Sequence, residues 1–166
     1  SNATVGDLIC VTGNLGDSGC GLKLILDGSE RDADAEILIA RHYLPMPRVN
    51  EGIEIAAAGA SAMMDVSDGI GSDLRHILKE SGVGAEVDTG SIPVSDEMKR
   101  KCAQMGWDAL EIATSGGEDY ELLFTISPEN EKRVAVGHHI IGKIVPGNGI
   151  EWKGKEDKNY MGYRHF

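Results

Sequence analysis

A chain of 166 residues has the length of one domain, and 41% hydrophobic residues can fill its core, which argues against disorder and a two-domain arrangement. Sixteen Lys and Arg against 27 Asp and Glu give a net charge of −11, which excludes nucleic acid or an anionic membrane as a partner held by bulk charge. Twenty-two glycines, about 13% against the usual roughly 7%, imply many tight turns.

Ser1, Asn2 and Ala3 read as the remnant of an expression tag, and the domain is expected to run from 4 to 166, as if cut from inside a longer gene. Residues 8–12 form a short apolar run, expected as a buried strand. A helix from Asp17 or Ser18 to Leu26 follows, capped by one of those two side chains and ended near Gly28. Residues 34–44 are strong helix formers stopped by Pro45-Met46-Pro47, and Asn50 is placed to cap a short helix reaching Ala58. The apolar run 61–66 suits a buried strand. Ile70, Leu74, Ile77 and Leu78 then recur at helical spacing before Gly82. A strand at 85–87, a helix from the Ser95 cap through Met105 and an irregular stretch 107–114 come next. Tyr120, Leu122, Phe124 and Ile126 alternate with polar residues, the pattern of a half-buried strand. A helix at 129–136, a strand at 139–145, and a hairpin-like turn at 146–149 leading to Ile150 complete the chain. Helices and strands mingle without strict alternation, so the expected fold is α+β, helices packed on a mixed sheet. Cys10, Cys20 and Cys102 show no CxxC pairing and read as buried free thiols of a reducing cytoplasm. No stretch of 18 apolar residues offers a membrane span.

Chemistry concentrates in two motifs. In Met64-Asp65-Val66-Ser67-Asp68-Gly69, a strand gives way to a tight turn and a helix, the place where α/β units gather ligands. Ser67 can cap that helix, the free amides of its first turn favour anions, and Asp65 and Asp68 can grip Mg²⁺ directly or through water. The same acids would equally serve to complement a helix dipole. In Ser115-Gly116-Gly117-Glu118-Asp119-Tyr120-Glu121, three acids stand at the mouth of a strand, where Glu118 would share one face with Tyr120 and Asp119 the other with Glu121. A plain polar loop is the alternative. A carboxylate about 4 Å from a phosphate charge costs on the order of 4 kcal/mol at an effective dielectric near 20, so phosphate at such acids requires Mg²⁺. Glycines 13, 16, 19 and 21 lack the Gly-Lys-Ser/Thr of a Walker loop, and His138-His139 lacks a metal partner.

Asp65-Val-Ser-Asp-Gly-Ile, Asp73-Leu-Arg-His-Ile and Gly116-Gly-Glu-Asp-Tyr-Glu-Leu-Leu-Phe closely resemble the carboxyl-terminal half of the thiamine-monophosphate kinase family. So do Val11-Thr-Gly-Asn-Leu-Gly-Asp-Ser, Arg41-His-Tyr-Leu-Pro-Met-Pro-Arg-Val and the final Gly162-Tyr-Arg-His-Phe. The likeness is collinear over nearly all of 4–166, in a superfamily with aminoimidazole ribonucleotide synthetase, selenophosphate synthetase and a hydrogenase-maturation protein. It implies an aminoimidazole ribonucleotide synthetase C-terminal-domain-like fold and transfer of the ATP γ-phosphoryl group to thiamine monophosphate. It also implies magnesium at Asp65 and Asp68, several ions in all, ATP contact at Ser67, and thiamine-substrate contact at Glu118 and Tyr163. No protein nucleophile is implied. An amino-terminal half carrying much of the nucleotide and metal site is expected before Thr4, so the 166 residues alone are expected to be inactive and the full-length parent a cytoplasmic homodimer. Another ATP-dependent member of the superfamily, or an acidic binding module without chemistry, are the competing readings.

Overall fold

The computed structural model describes residues 2–154. The elements are β1 (Leu8–Thr12), α1 (Asp17–Asp27), α2 (Ala33–Tyr43), α3 (Val49–Ala58), β2 (Ala62–Asp65) and α4 (Ile70–Ser81). Then come β3 (Gly84–Asp88), α5 (Asp96–Met105), α6 (Ala109–Ser115), β4 (Leu122–Ile126), α7 (Pro128–Glu131), β5 (His138–Val145) and β6 (Gly149–Lys153). One sheet of order β2-β4-β1-β5-β3-β6 carries them; its neighbours are antiparallel except β3 and β6, so the sheet is mixed and the α+β expectation holds.

The alternation of β1 divides the core. Ile9 and Val11 point into the large cluster under α1, α2, α4, α5 and α6, whereas Cys10 joins Phe124, Ile126, Ile55 and Ala58 beneath α3 on the other face. Gly21 brings α1 against α2, since a Cβ there would strike the Leu38 carbonyl. The glycine excess also goes into helix ends: α1, α3, α4 and α5 stop at Gly28, Gly59, Gly82 and Gly106 in the left-handed conformation. All three cysteines are free and buried. No helix among the described residues is long and apolar enough to cross a membrane.

Several expectations need correction. Stretch 107–114 contains α6, started by Asp108, whose carboxylate accepts from the Leu110 and Glu111 amides at 3.0 and 3.1 Å. Strand β4 begins only at Leu122 and is buried on both faces from Leu123 onward: α3 covers Phe124 and Ile126, and the side that alternation had left to solvent turns Leu123 into the large cluster on the opposite face. Helix α7 is a single turn; His138 accounts for the early exit, bridging Glu131 Oε1 at 2.9 Å and the Val136 carbonyl at 2.7 Å and so tying the chain into β5. Strands β5 and β6 do not form a hairpin, since β3 lies between them and pairs with both. Asn50 lies inside α3, whose N-cap position is Arg48.

Candidate active site

Strand β2 ends at Asp65, opposite Leu122, and the chain turns through Val66–Gly69 into α4. Ser67 does not cap this helix. The N-cap position is Gly69, and the turn is held instead by Asp73, whose buried Oδ2 accepts from the Ser67 and Asp68 amides at 3.0 and 3.2 Å. Two amides that sequence offered to an outside anion are therefore taken by a protein carboxylate. Burial pushes the Asp73 carboxyl above its ordinary pKa, and the charges of Asp68 and Asp65 add to that push, against the pull of the two amides. Three acids thus share one turn. Asp65 is exposed and Asp68 half-buried.

The Gly116–Glu121 loop lies directly on this turn. The Glu118 amide donates to the Ser67 carbonyl at 2.9 Å, Tyr120 to Val66 at 3.0 Å, and Val66 back to Glu121 at 2.8 Å. Gly117 permits the approach, because a Cβ would collide with the Ser67 carbonyl oxygen. The segment is not a strand: Glu118 and Tyr120 have φ of +63° and +52°, so the face-sharing expected from alternation fails. Instead the acids diverge. Glu118 is exposed. Asp119 turns inward and accepts from the Gly16 and Ser18 amides at 2.7 and 3.2 Å, capping α1 in place of the Asp17 or Ser18 side chain that sequence suggested. Glu121 accepts from Thr12 Oγ1 at 2.6 Å and from Arg48 at 2.8 Å. Burial raises the Asp119 pKa to about 7, with the charges of Asp17 and Glu121 also raising it and the two amides lowering it.

Ser67, Asp68 and Glu118 line one cavity of about 490 Å³, together with Leu22, His42 and Tyr120. Its open lining is mostly apolar. His42 was missed as an individual site residue: its Nδ1 is 3.0 Å from Ser18 Oγ and 3.7 Å from Glu118 Oε2. A smaller cavity of about 230 Å³ adjoins, walled by Arg41, Arg48 and Asp119. Arg41 donates to Asp17 at 2.5 Å, and Asp17 also accepts from Ser95 Oγ at 2.5 Å. The motif Arg41–Arg48 had signalled this region without assigning roles; Asp119, Asp73 and Ser18 also stand in motifs that the sequence singles out, but nothing in the sequence names their hydrogen-bond partners.

Asp65 stands at the strand end, outside the cavity lining, and Tyr163 lies outside the described residues. The described residues contain no group of three or more His, Cys, Asp or Glu arranged to hold an ion. Two carboxylates nevertheless suit Mg²⁺, which keeps several waters and takes one or two carboxylates beside substrate phosphates.

A strand-end turn and an acidic loop bound by backbone to one another, on helices over a mixed sheet, define the class: the chain belongs to the AIR synthase related protein, C-terminal domain family, whose model matches residues 4–153. Among curated proteins it is similar to thiamine-monophosphate kinases. That of Aquifex aeolicus is 37% identical over 165 residues, 99% of this chain and 53% of the relative; that of Salmonella typhimurium is 47% identical over 142 residues, 82% and 42% respectively. Among solved structures, AaThiL complexed with AMPPCP and TMP superposes with a TM-score of 0.85 at 36% identity, covering 94% of this chain and 50% of that one. Thiamine-monophosphate kinase from Stenotrophomonas maltophilia gives 0.83 at 35%, over 93% and 52%. The chain spans about half the length of the curated relatives it matches. A hydrogenase maturation protein of E. coli, 19% identical with a TM-score of 0.69 over 93% of this chain and 48% of that one, shares the fold.

Proposed function

We propose that this chain is the acceptor-binding, metal-contributing half of a thiamine-monophosphate kinase, which moves the γ-phosphoryl group of ATP to thiamine monophosphate and yields thiamine diphosphate and ADP. The observation that carries this is the single cavity uniting Ser67, Asp68 and Glu118, residues at matching motif positions 51 apart in sequence. Phosphoryl transfer needs placement and charge neutralisation more than a protein nucleophile, and no residue is assigned that role here. Asp65 and Asp68 would hold Mg²⁺, several ions counting those bound elsewhere in the parent, and bound magnesium supplies neutralisation of phosphate charge. Ser67 contacts ATP from the turn. The exposed Glu118 carboxylate would face the two thiamine rings, an aminopyrimidine that donates hydrogen bonds and a cationic thiazolium, with Leu22 and Tyr120 in the same cavity lining. Tyr163 is proposed as a second substrate contact.

We infer that residues of the parent outside these 166 complete the nucleotide and metal site, so that the chain alone forms no thiamine diphosphate. The parent is proposed to be a cytoplasmic homodimer. Incubating the parent kinase with ATP, Mg²⁺ and thiamine monophosphate tests the reading. Thiamine diphosphate formation that falls at least 100-fold in Asp68→Ala is expected; turnover only of selenide or formylglycinamidine ribonucleotide would reject it.

A further inference from the structure

We propose that Asp119 is a positioning residue of the acceptor site: its carboxylate clamps the Gly116–Glu121 loop to the first turn of α1 and thereby fixes Glu118 at the cavity. This role rests on the functional reading above. The clamp is two-pronged, Oδ2 taking the Gly16 amide and Oδ1 the Ser18 amide, and it reaches across about a hundred residues of sequence. Helix α1 receives no other side-chain cap, since its N-cap position is itself a glycine.

The loop needs such a clamp. Asp119 is flanked by two non-glycine residues in the left-handed region, a conformation that persists only where the surroundings impose it. The stitches to Val66 and Ser67 hold one side of the loop, and Asp119 holds the other. Beside the clamp, Ser18 Oγ bonds His42 Nδ1 at 3.0 Å, and that nitrogen stands 3.7 Å from the Glu118 carboxylate, close enough for an ion pair when the imidazole is protonated. Glu118 is largely exposed, and its backbone, held between the Ser67 stitch and the Asp119 clamp, sets its place at the cavity.

The charged groups around Asp119 are Asp17 on α1 and Glu121 in its own loop, with Arg41 of α2 paired to Asp17 and Arg48 before α3 paired to Glu121. Burial and the two like charges leave Asp119 titrating near neutrality. A protonated carboxyl keeps one good acceptor for two amides, so the clamp loosens as the proton binds.

The test uses the parent kinase, wild type and Asp119→Asn. Expected is an acceptor KM raised about tenfold, the loss of roughly one charge-assisted hydrogen bond, with the ATP KM unchanged and kcat within about threefold. The wild-type acceptor KM should also rise as pH falls from 8 to 6, over and above any rise in the variant. An unchanged acceptor KM in the variant, or an equal rise in both KM values, would overturn the proposal. A measurement without any variant follows the Gly16 and Ser18 amide resonances of the 166-residue chain by NMR. A shared titration near pH 7 is expected, and one below pH 5, or none, would overturn the clamp. A parent that does not phosphorylate thiamine monophosphate defeats the functional reading and leaves this titration to decide the clamp.

Discussion

The two sides of the sheet are held by different forces. Around β5, β3 and β6 the core is apolar, with Ala85, Val87, Ile141, Ile144 and Trp152 all buried. Around β2, β4 and β1 the strand ends are organised by carboxylates: Asp73 on the amides of its turn, Asp119 on α1, Asp17 between Arg41 and Ser95, Glu121 between Thr12 and Arg48. The first arrangement is stabilising and indifferent to pH. The second costs desolvation, and holds acids in fixed places where a substrate and its metal ions can use them.

The sharpest contrast comes from emptying the apolar side. Ile141→Ala should cost about 2–5 kcal/mol in denaturant unfolding, by lost burial and the cavity left, with no change in that cost between pH 5 and 8. A pH-dependent loss would break the contrast.

The carboxylate side should show itself next, in the pH dependence of stability. Asp119, Asp17 and Asp73 all have raised pKa values in the fold, so each binds its proton more tightly folded than unfolded. Their contribution is fully present below about pH 4 and is lost as pH rises through each folded-state pKa; for Asp119 that value is about 7, and the shift from 3.8 corresponds to roughly 4 kcal/mol. Asp32, Asp34 and Glu51 are lowered by their cationic or amide partners and act in the opposite sense, but below pH 4. Unfolding free energy should therefore fall between pH 4 and 7, and Asp119→Asn should flatten that slope. A slope of the same size in the variant would count against the buried carboxylate.

Smaller effects refine the picture. Thr12→Val removes the acceptor of the Leu122 amide, at 2.8 Å, and the donor to Glu121; it should cost about 1–3 kcal/mol by chemical denaturation, where an isosteric apolar swap elsewhere costs less. Ser95→Ala should cost about 1 kcal/mol, since it loses the cap on the Met98 amide at 3.2 Å and the bond to Asp17. Thermal unfolding checks both.

The same division governs what sequence could reveal. Elements built on local patterns were legible: β1 from its apolar run, α4 from its stripe ending at Gly82, α5 from its Ser95 cap. Of the residues that the family resemblance pointed to, Ser67, Asp68 and Glu118 line one cavity. What escaped were partners supplied through space. Nothing near Gly16 announces that its cap is Asp119, and the parallel union of β3 with β6 overrides a turn that reads as a hairpin. His42 was hidden for the same reason: its neighbours Ser18 and Glu118 stand 24 residues before it and 76 after it.

The most direct test of the account is a crystal structure of the parent kinase soaked with thiamine monophosphate. Density for the thiamine rings is expected in the cavity between the Ser67–Asp68 turn and Glu118, with the Glu118 carboxylate within hydrogen-bond distance of the ligand and Asp119 still bonded to Gly16 and Ser18. Rings bound elsewhere in the protein, with that cavity filled by water alone, would contradict it.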